Sequence, residues 1–286
     1  MSKPPQGPGV AEVNGLKLWY TVQGRGPVCV VPSPGWGYSS DLYQRTLARF
    51  CSEMTMVFLD SRGCGRSQQP ATTAEYRYAD FANDLDGMRR ALGEEKIWIL
   101  GHSHAGVMAL RCASDFPERT AGIILVGTHA ESDAEYEADV ERRKSLRAHE
   151  PWFKRVDWDA IKTAQDLADG MNAALPLYFH DYAKLTASRE DLDASTYSIH
   201  PYHGWRDSEG FSVHELERLP KIKCPTLLVV GEDDFVCSPM NSKRIQERVA
   251  GAEMTVIPRC GHFPWLEQPE AFYSAIENFL RRHRGA

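Results

Sequence analysis

A glycine-rich turn between a short apolar run and a helical segment constrains the fold of this chain more than any other feature. The apolar run over residues 97–100 predicts a buried strand, and residues 104–115 have the periodicity of a helix. A serine at such a turn stands clear of the backbone, where a base can remove its proton, if small residues flank it. The turn reads Gly101-His102-Ser103-His104-Ala105-Gly106. The sequence therefore predicts Ser103 as a nucleophile.

Two later segments place a carboxylate and an imidazole after predicted strands. The buried run over residues 227–230 is followed by Gly231-Glu232-Asp233-Asp234. A further strand predicted over residues 254–257 is followed by Cys260-Gly261-His262-Phe263-Pro264. The chain order is therefore serine, aspartate, histidine. This is the order in α/β-hydrolases and differs from the orders in the chymotrypsin and subtilisin types.

From about Val10 to its C-terminus the chain resembles the α/β-hydrolase superfamily. Residues 60–67 look like the Asp-x-Arg-Gly-x-Gly-x-Ser loop that is common in this superfamily and in its proline iminopeptidase-like members. Residues 261–269 are similar to the family's histidine segment. The resemblance implies a serine hydrolase with Ser103, Asp234 and His262 as catalytic residues. Asp234 is preferred to Asp233 because the family's acid usually lies at the third position after the strand-ending glycine.

The acid has a second possible position in this family. Some members carry it just after the sixth strand, where this chain has Glu131 and Asp133. Either residue could take the place of Asp234. The neighbouring His102 is expected to pack beneath the turn and to take no part in the reaction.

The oxyanion hole is expected to use two backbone N–H groups. One belongs to His104, the residue after the nucleophile, and the other to the loop that follows the third strand. Pro32 and Pro34 in that loop have no N–H, which leaves Ser33, Gly35 or Trp36 as the donor. The His-Gly of the family is absent here. Alignment with the family's Gly-aromatic-Gly form favours Trp36, whereas alignment with the iminopeptidase form favours Ser33, and we take Trp36 as the expected donor. The Trp36 indole would then also form a wall of the acyl pocket.

The order of predicted elements indicates an α/β fold with a mostly parallel, doubly wound sheet. Asn14-Gly15 between two alternating apolar segments predicts an antiparallel hairpin at the sheet edge, and strands then alternate with helices. Residues 131–219 contain no strand-like run and are too long for a loop, so they predict an inserted helical cap. The hydrolase core would comprise residues 1–130 and 220–286. Of the aromatic residues in the cap, Tyr202 and Trp205 are predicted to bind substrate together with Trp36.

Composition limits the partners. The 286 residues carry a net charge of −6, which does not favour nucleic acid or an anionic membrane, and no apolar run is long enough to cross a bilayer. Seven scattered cysteines and the lack of a signal peptide predict a cytoplasmic protein. His200 and His203 have helical spacing, but Pro201 is expected to break that face, and no third ligand of suitable spacing appears. No metal or cofactor is therefore predicted. The expected partner is a small-molecule substrate, and the oligomeric state stays open.

A serine nucleophile favours acyl transfer through an acyl-enzyme. The sequence predicts hydrolysis of an ester, lactone or other acyl bond in a small, fairly apolar molecule. A proline iminopeptidase is an alternative that needs a carboxylate for the substrate amine, and the candidates are Glu150, Asp181, Glu209 and Glu215. A carbon–carbon bond hydrolase, and a ligand receptor or lyase on the same fold, are further alternatives.

Overall fold

Eight strands form one sheet in a computed structural model that describes residues 4–34 and 36–283. The spatial order is β1-β2-β4-β3-β5-β6-β7-β8, and every pair is parallel except β1 with β2 and β2 with β4. The strands are β1 (Gly7–Val13), β2 (Leu16–Gly24), β3 (Val28–Pro32), β4 (Thr55–Leu59), β5 (Ile97–His102), β6 (Thr120–Val126), β7 (Thr226–Gly231) and β8 (Glu253–Ile257). The predicted mostly parallel sheet is confirmed.

The predicted edge hairpin is present. Asn14 and Gly15 form its turn with φ values of 50° and 80°, which place both residues in the left-handed region. This conformation is required by the tight turns that match the twist of two antiparallel strands. Val13 pairs with Leu16 on either side of it.

Helices cover both faces of the sheet. They are α1 (Asp41–Thr46), α2 (Tyr78–Ala91), α3 (His104–Asp115), α4 (Ala134–Leu146), α5 (Ala164–Tyr178), α6 (Tyr182–Ala187), α7 (Arg189–Leu192), α8 (Ile199–Glu209), α9 (Pro239–Gln246), α10 (Pro264–Glu267) and α11 (Pro269–His283). The central strands are therefore apolar on both faces. In β5, for example, Ile99 joins the core under α2 and α3, while Trp98 and Leu100 join the core under α11.

The two ends of the strand-free segment between β6 and β7 lie side by side and are joined by backbone hydrogen bonds. The Ser132 N–H donates to the Val213 carbonyl at 2.8 Å, and the Glu215 N–H donates to the Ala130 carbonyl at 2.9 Å. Glu131 and His214 pair between them as an antiparallel bridge. We refer to residues 130–132 and 213–215 as the stem.

One expectation about this segment is wrong. Pro201 does not break the helix at His200 and His203, because α8 begins at Ile199 and places the proline in its first turn. A first-turn residue has no intrahelical acceptor for its N–H, so proline is tolerated there. Among residues 4–34 and 36–283, no group of three or more His, Cys, Asp or Glu side chains is arranged to hold a metal ion.

The loop after β4 fixes the neighbouring loop that follows β3. The Asp60 carboxylate is fully buried and accepts hydrogen bonds from the Ser40 N–H and hydroxyl, both at 2.7 Å. Its second oxygen accepts from the N–H and guanidinium of Arg66, at 2.9 and 2.7 Å. The Asp-x-Arg-Gly-x-Gly-x-Ser pattern of residues 60–67 therefore has a structural role, since it holds both loops at the carboxyl edge of the sheet.

Arg62, in the same loop, forms a buried ion pair with Asp84 of α2. Two parallel hydrogen bonds of 2.7 Å join the guanidinium to the two carboxylate oxygens. Asn14 donates to the same carboxylate at 2.9 Å, which ties the edge hairpin to α2. Both charged side chains are at least 95% buried, so neither could be satisfied by water if its partner were lost.

We predict that Asp84→Ala lowers the free energy of unfolding by about 3–5 kcal/mol, because it leaves the Arg62 charge buried and unpaired. Urea denaturation measures the change. Glu190→Ala removes the exposed partner of Arg45 and is the control, with an expected loss of at most about 1 kcal/mol. Equal effects of the two substitutions would contradict the role assigned to the buried pair.

Candidate active site

Ser103 has the strained backbone that the sequence predicts for the turn. Its φ and ψ are 55° and −127°, a conformation that non-glycine residues rarely adopt. Two contacts with the neighbouring β6 region hold it there. The Ser103 N–H donates to the Val126 carbonyl at 2.9 Å, and the Thr128 hydroxyl donates to the Ser103 carbonyl at 2.8 Å.

The tight turn around Ser103 requires glycine at positions 101 and 106, because a side chain at either position would clash with neighbouring atoms. A Cβ on Gly101 would lie 2.5 Å from the Ala105 carbonyl oxygen, and a Cβ on Gly106 would lie 2.5 Å from the Thr128 Cβ. Both distances are far inside van der Waals contact. Ala105 itself is fully buried, so its methyl group is accommodated in place of the family's more common glycine.

His262 and Asp234 form a buried pair. His262 Nδ1 lies 2.7 Å from an Asp234 carboxylate oxygen, and the other oxygen accepts the N–H groups of Val236 and Cys237 at 3.0 and 2.9 Å. A carboxylate only accepts, so Nδ1 carries the proton and Nε2 is the basic nitrogen of the neutral ring. This is the orientation in which an imidazole can act as a general base.

The two alternative acids are engaged elsewhere. Glu131 hydrogen-bonds to His214 at 2.6 Å in the stem. Asp133 accepts the Tyr136 N–H at the start of α4 and pairs with Arg244. Of the three candidate carboxylates, only Asp234 contacts His262.

Gly127 packs directly against the pair. A Cβ at this position would lie 2.9 Å from the Asp234 carboxylate oxygen and 3.1 Å from His262 Nδ1, and the residue has a φ of 48°. The residue that follows β6 therefore packs against both Asp234 and His262 and has no room for a side chain. No feature of the sequence alone indicated this contact.

The backbone around His262 is bound to the end of α5. The His262 N–H donates to the Tyr178 carbonyl at 2.7 Å. The buried Glu267 carboxylate accepts the Gly261 N–H at 2.6 Å and the His180 N–H at 2.7 Å. The histidine loop is thus fixed to the strand-free segment as well as to the sheet.

His102 has a structural place beneath the turn, as expected. It lies 2.9 Å through Nε2 from the His262 carbonyl, which can only accept, so Nε2 carries the proton. Nδ1 then accepts from the Tyr43 hydroxyl at 2.9 Å. Complete burial, aided by the neighbouring His262, holds the pKa of His102 well below its usual value, so the ring stays neutral.

Ser103 and His262 line one small cavity of about 100 Å³. Its walls are mostly aromatic and aliphatic, and no Asp, Glu, Lys or Arg contributes to them among the residues that the structure describes. The lining residues are Pro34, Trp36, Tyr38, Leu42, His102, Ser103, His104, His129, Tyr136, Met171, Leu175, Tyr178, Leu192, Ser195, Tyr197, Trp205, Val236, Cys237, His262 and Phe263. We call this space the inner cavity.

The three predicted substrate-binding aromatics occupy different positions. Trp36 and Trp205 line the inner cavity, with ring centroids 5.4 Å apart. Tyr202 does not line it. Its ring packs on Trp36 at 5.8 Å, and its hydroxyl donates to the Trp158 carbonyl at 2.6 Å, beside a second cavity.

The loop after β3 narrows the choice of the second oxyanion donor. The Ser33 N–H already donates to the Leu59 carbonyl at 2.8 Å, so it is not free to bind a ligand. Gly35 lies outside the described residues. Trp36 has a φ of 58°, and His104 is the first residue of α3, where N–H groups have no intrahelical acceptor.

Several cavity residues were not identified from the sequence. His129 follows the end of β6, and Val236 and Cys237 follow Asp234, all at the carboxyl edge of the sheet. Their position after predicted strands could have identified all three as cavity residues, because ligands of open α/β sheets bind at the carboxyl ends of the strands. Tyr136 in the first turn of α4 stacks on His129 in the preceding loop with ring centroids 4.4 Å apart, a contact that the sequence does not reveal.

The comparisons with known proteins agree with this architecture. A family model described as the alpha/beta hydrolase fold matches residues 28–269, so the chain belongs to this family. A proline iminopeptidase of Lactiplantibacillus plantarum is 26% identical over 249 residues, which cover 80% of this chain and 82% of the relative. The expected resemblance is thereby confirmed.

Two solved structures are similar in fold. An enol-lactonase from Burkholderia xenovorans LB400 has a TM-score of 0.74 and 21% identity, with 96% of this chain and 100% of the other covered. A thermophilic esterase from Thermogutta terrifontis has a TM-score of 0.73 and 23% identity, with coverages of 97% and 99%. Family membership supports hydrolase activity.

The side chain of His104 gives a prediction about acid stability. Burial lowers its pKa from 6.5 to about 3, and neither ring nitrogen has a hydrogen-bond partner. Below pH 6.5 the unfolded chain binds a proton here that the folded protein does not. The free energy of unfolding therefore falls as the pH drops, by up to about 1.4 kcal/mol per pH unit, until the pH reaches the folded-state pKa.

We expect His104→Leu to remove this part of the acid dependence while keeping the backbone N–H. Urea denaturation at several pH values between 4 and 7 measures the slope. His149→Leu, which changes an exposed imidazole, is the matched control. An acid slope that is the same in His104→Leu as in the parent would show that the buried ring does not contribute.

Proposed function

We propose that this protein is a serine hydrolase that cleaves an ester, lactone or other acyl bond through an acyl-enzyme, with a small, apolar acyl group. The observation that carries the proposal is the inner cavity. Ser103 at its strained turn and His262, which is paired with the buried Asp234, meet in a space that no Asp, Glu, Lys or Arg of the described residues lines. Such a space suits a neutral, apolar group beside the reacting carbonyl.

In this proposal Ser103 Oγ attacks the acyl carbon while His262 Nε2 takes its proton. Asp234 holds the ring and stabilises the imidazolium without taking the proton itself. The N–H groups of His104 and Trp36 bind the oxyanion of the tetrahedral intermediate. His262 then protonates the leaving group, and a water molecule activated by the same nitrogen releases the acyl group.

The same cavity argues against aminopeptidase action. A substrate amine would need a carboxylate near the serine, and none of the four candidates lines the inner cavity. Glu209 accepts the Tyr78 N–H at the start of α2, and Glu215 pairs with Arg111. Glu150 and Asp181 line a separate cavity.

A cytoplasmic location forms part of the proposal. All seven cysteines are free, and six of them are buried. Free thiols fit a reducing compartment. Within the described residues, no helix has the length and apolar character needed to cross a bilayer.

A small substrate panel tests the proposed function. We expect turnover of p-nitrophenyl acetate and butyrate and little turnover of an N-terminal prolyl p-nitroanilide. Ser103→Ala should lower ester turnover by several powers of ten and abolish labelling by a fluorophosphonate, with the fold unchanged by circular dichroism. Amide turnover without ester turnover would select the iminopeptidase. A lack of both would leave a carbon–carbon bond hydrolase, a lyase or a ligand receptor.

The position of the acid has its own test. Asp234→Asn is expected to lower kcat by several powers of ten, because an amide cannot stabilise the imidazolium and favours the wrong tautomer. Glu131→Gln and Asp133→Asn are matched controls that change one carboxylate to an amide nearby, and their kcat should stay within about threefold of the parent. Near-normal activity of Asp234→Asn would contradict the assignment.

A further inference from the structure

A second cavity adjoins the inner cavity and is much larger. Its volume is about 550 Å³, and the two spaces have five lining residues in common. The shared residues are Trp36, Tyr136, Tyr178, Trp205 and Val236. We call the second space the outer cavity. A ligand with its reacting carbonyl at Ser103 could extend past these shared side chains into it.

The two cavities differ in charge. The inner cavity is lined by no Asp, Glu, Lys or Arg among the described residues, whereas Lys144, Lys154, Arg155 and Glu137 line the outer one. This local excess of positive charge occurs in a chain whose net charge is −6.

The two lysines are the available charges. Arg155 pairs with the exposed Glu141 at 3.0 Å, so its charge is partly compensated. Lys144 and Lys154 form no ion pair with any carboxylate in the part of the chain that the structure describes. The Lys144 ammonium lies 6.0 Å from the centroid of the Phe235 ring, which also lines the outer cavity.

We propose that the outer cavity binds a carboxylate on the leaving-group side of the substrate. This inference rests on the proposed serine hydrolase function and specifies its substrate class. The small inner cavity accepts a short acyl group, and the aromatic walls of the outer cavity, which include Trp158 and Phe211, contact the body of the leaving group. Lys144 and Lys154 then attract its terminal carboxylate. In the reaction the acyl–oxygen bond breaks, His262 supplies the proton to the departing oxygen, and the carboxylate does not change.

A matched pair of esters tests the proposal. The first is 4-(carboxymethyl)phenyl acetate, and the second is its neutral carboxamide, 4-(carbamoylmethyl)phenyl acetate. The parent enzyme should show a KM about tenfold lower for the acid than for the amide at low ionic strength. The preference should shrink at about 0.5 M salt, because salt screens exposed charges.

Substitutions of Lys144 and Glu137, both on α4, should change the KM of the acid in opposite directions. Lys144→Gln is expected to raise the KM of the acid severalfold, and a further Lys154→Gln change should remove the preference. Glu137→Gln should lower the KM of the acid, since it removes the one carboxylate that lines the outer cavity among the described residues. The readout in every variant is the ratio of the KM of the amide to the KM of the acid, which should fall in the Lys144 and Lys154 variants and rise in Glu137→Gln. Lys184→Gln is the control, because Lys184 lines a different cavity.

The outcomes separate this inference from the proposed function. If the parent hydrolyses both esters with equal KM, or if Lys144→Gln and Lys184→Gln behave alike, the carboxylate site is wrong and the hydrolase stands. If neither ester is hydrolysed, the proposed function fails. Binding of 4-hydroxyphenylacetate then tests the site by the fluorescence of Trp36, Trp158 and Trp205, which line the outer cavity. Binding that is insensitive to Lys144→Gln and Glu137→Gln would overturn the inference in that case too.

Discussion

The left-handed backbone at Ser103 is the constraint on which the site depends. A non-glycine residue in such a conformation costs on the order of 1–3 kcal/mol, so it persists only where the surroundings leave the chain no alternative. Three features constrain the backbone of Ser103. Gly101 packs closely against Ala105, and Gly106 packs closely against Thr128. Ser103 itself is hydrogen-bonded to Val126 and Thr128 at the end of β6. Ser103 is therefore held in place by the central strands and their adjoining turns.

The same edge of the sheet fixes the histidine and its acid. Asp234 accepts two backbone N–H groups in addition to His262, and Gly127 leaves room for the pair above β6. Such a buried carboxylate is costly unless all of its hydrogen bonds are formed. Glu267 performs a comparable task for the backbone, because it joins the His262 loop to the end of α5. His262 is thus held both by the sheet and by the strand-free segment.

Local sequence predicts those parts of the fold that depend on a few consecutive residues, such as single strands, helices and tight turns. Residues 97–100 and 104–115 define the strand and helix around Ser103 in both the pattern and the structure, and Asn14-Gly15 defines the hairpin. The preference for Asp234 is a different case, because it came from the position of the acid in a known family. Its contact with His262 agrees with that choice, while the catalytic role stays a prediction.

Contacts between distant elements could not be derived in this way. The sequence indicated that aromatic residues crowd residues 131–219, but not that Tyr202 would face the outer cavity while Trp205 faces both. The expectation for Pro201 is wrong because the effect of a proline depends on where its helix begins, and α8 begins at Ile199, which places Pro201 in the first turn. The charge of the outer cavity arises from side chains on α4 and on the loop after it, which only the folded chain brings together.

The stem joins the two ends of the segment over residues 133–212 independently of the pairing between β6 and β7. The chain departs at residues 130–132 and returns at residues 213–215 within one set of backbone hydrogen bonds. Because the two ends are already side by side, the intervening stretch can lengthen, shorten or be exchanged at little cost in loop-closure entropy, with β6 and β7 left in register. Changes in the length or sequence of residues 133–212 can therefore alter the walls of both cavities while Ser103, Asp234 and His262 keep their positions at the edge of the sheet.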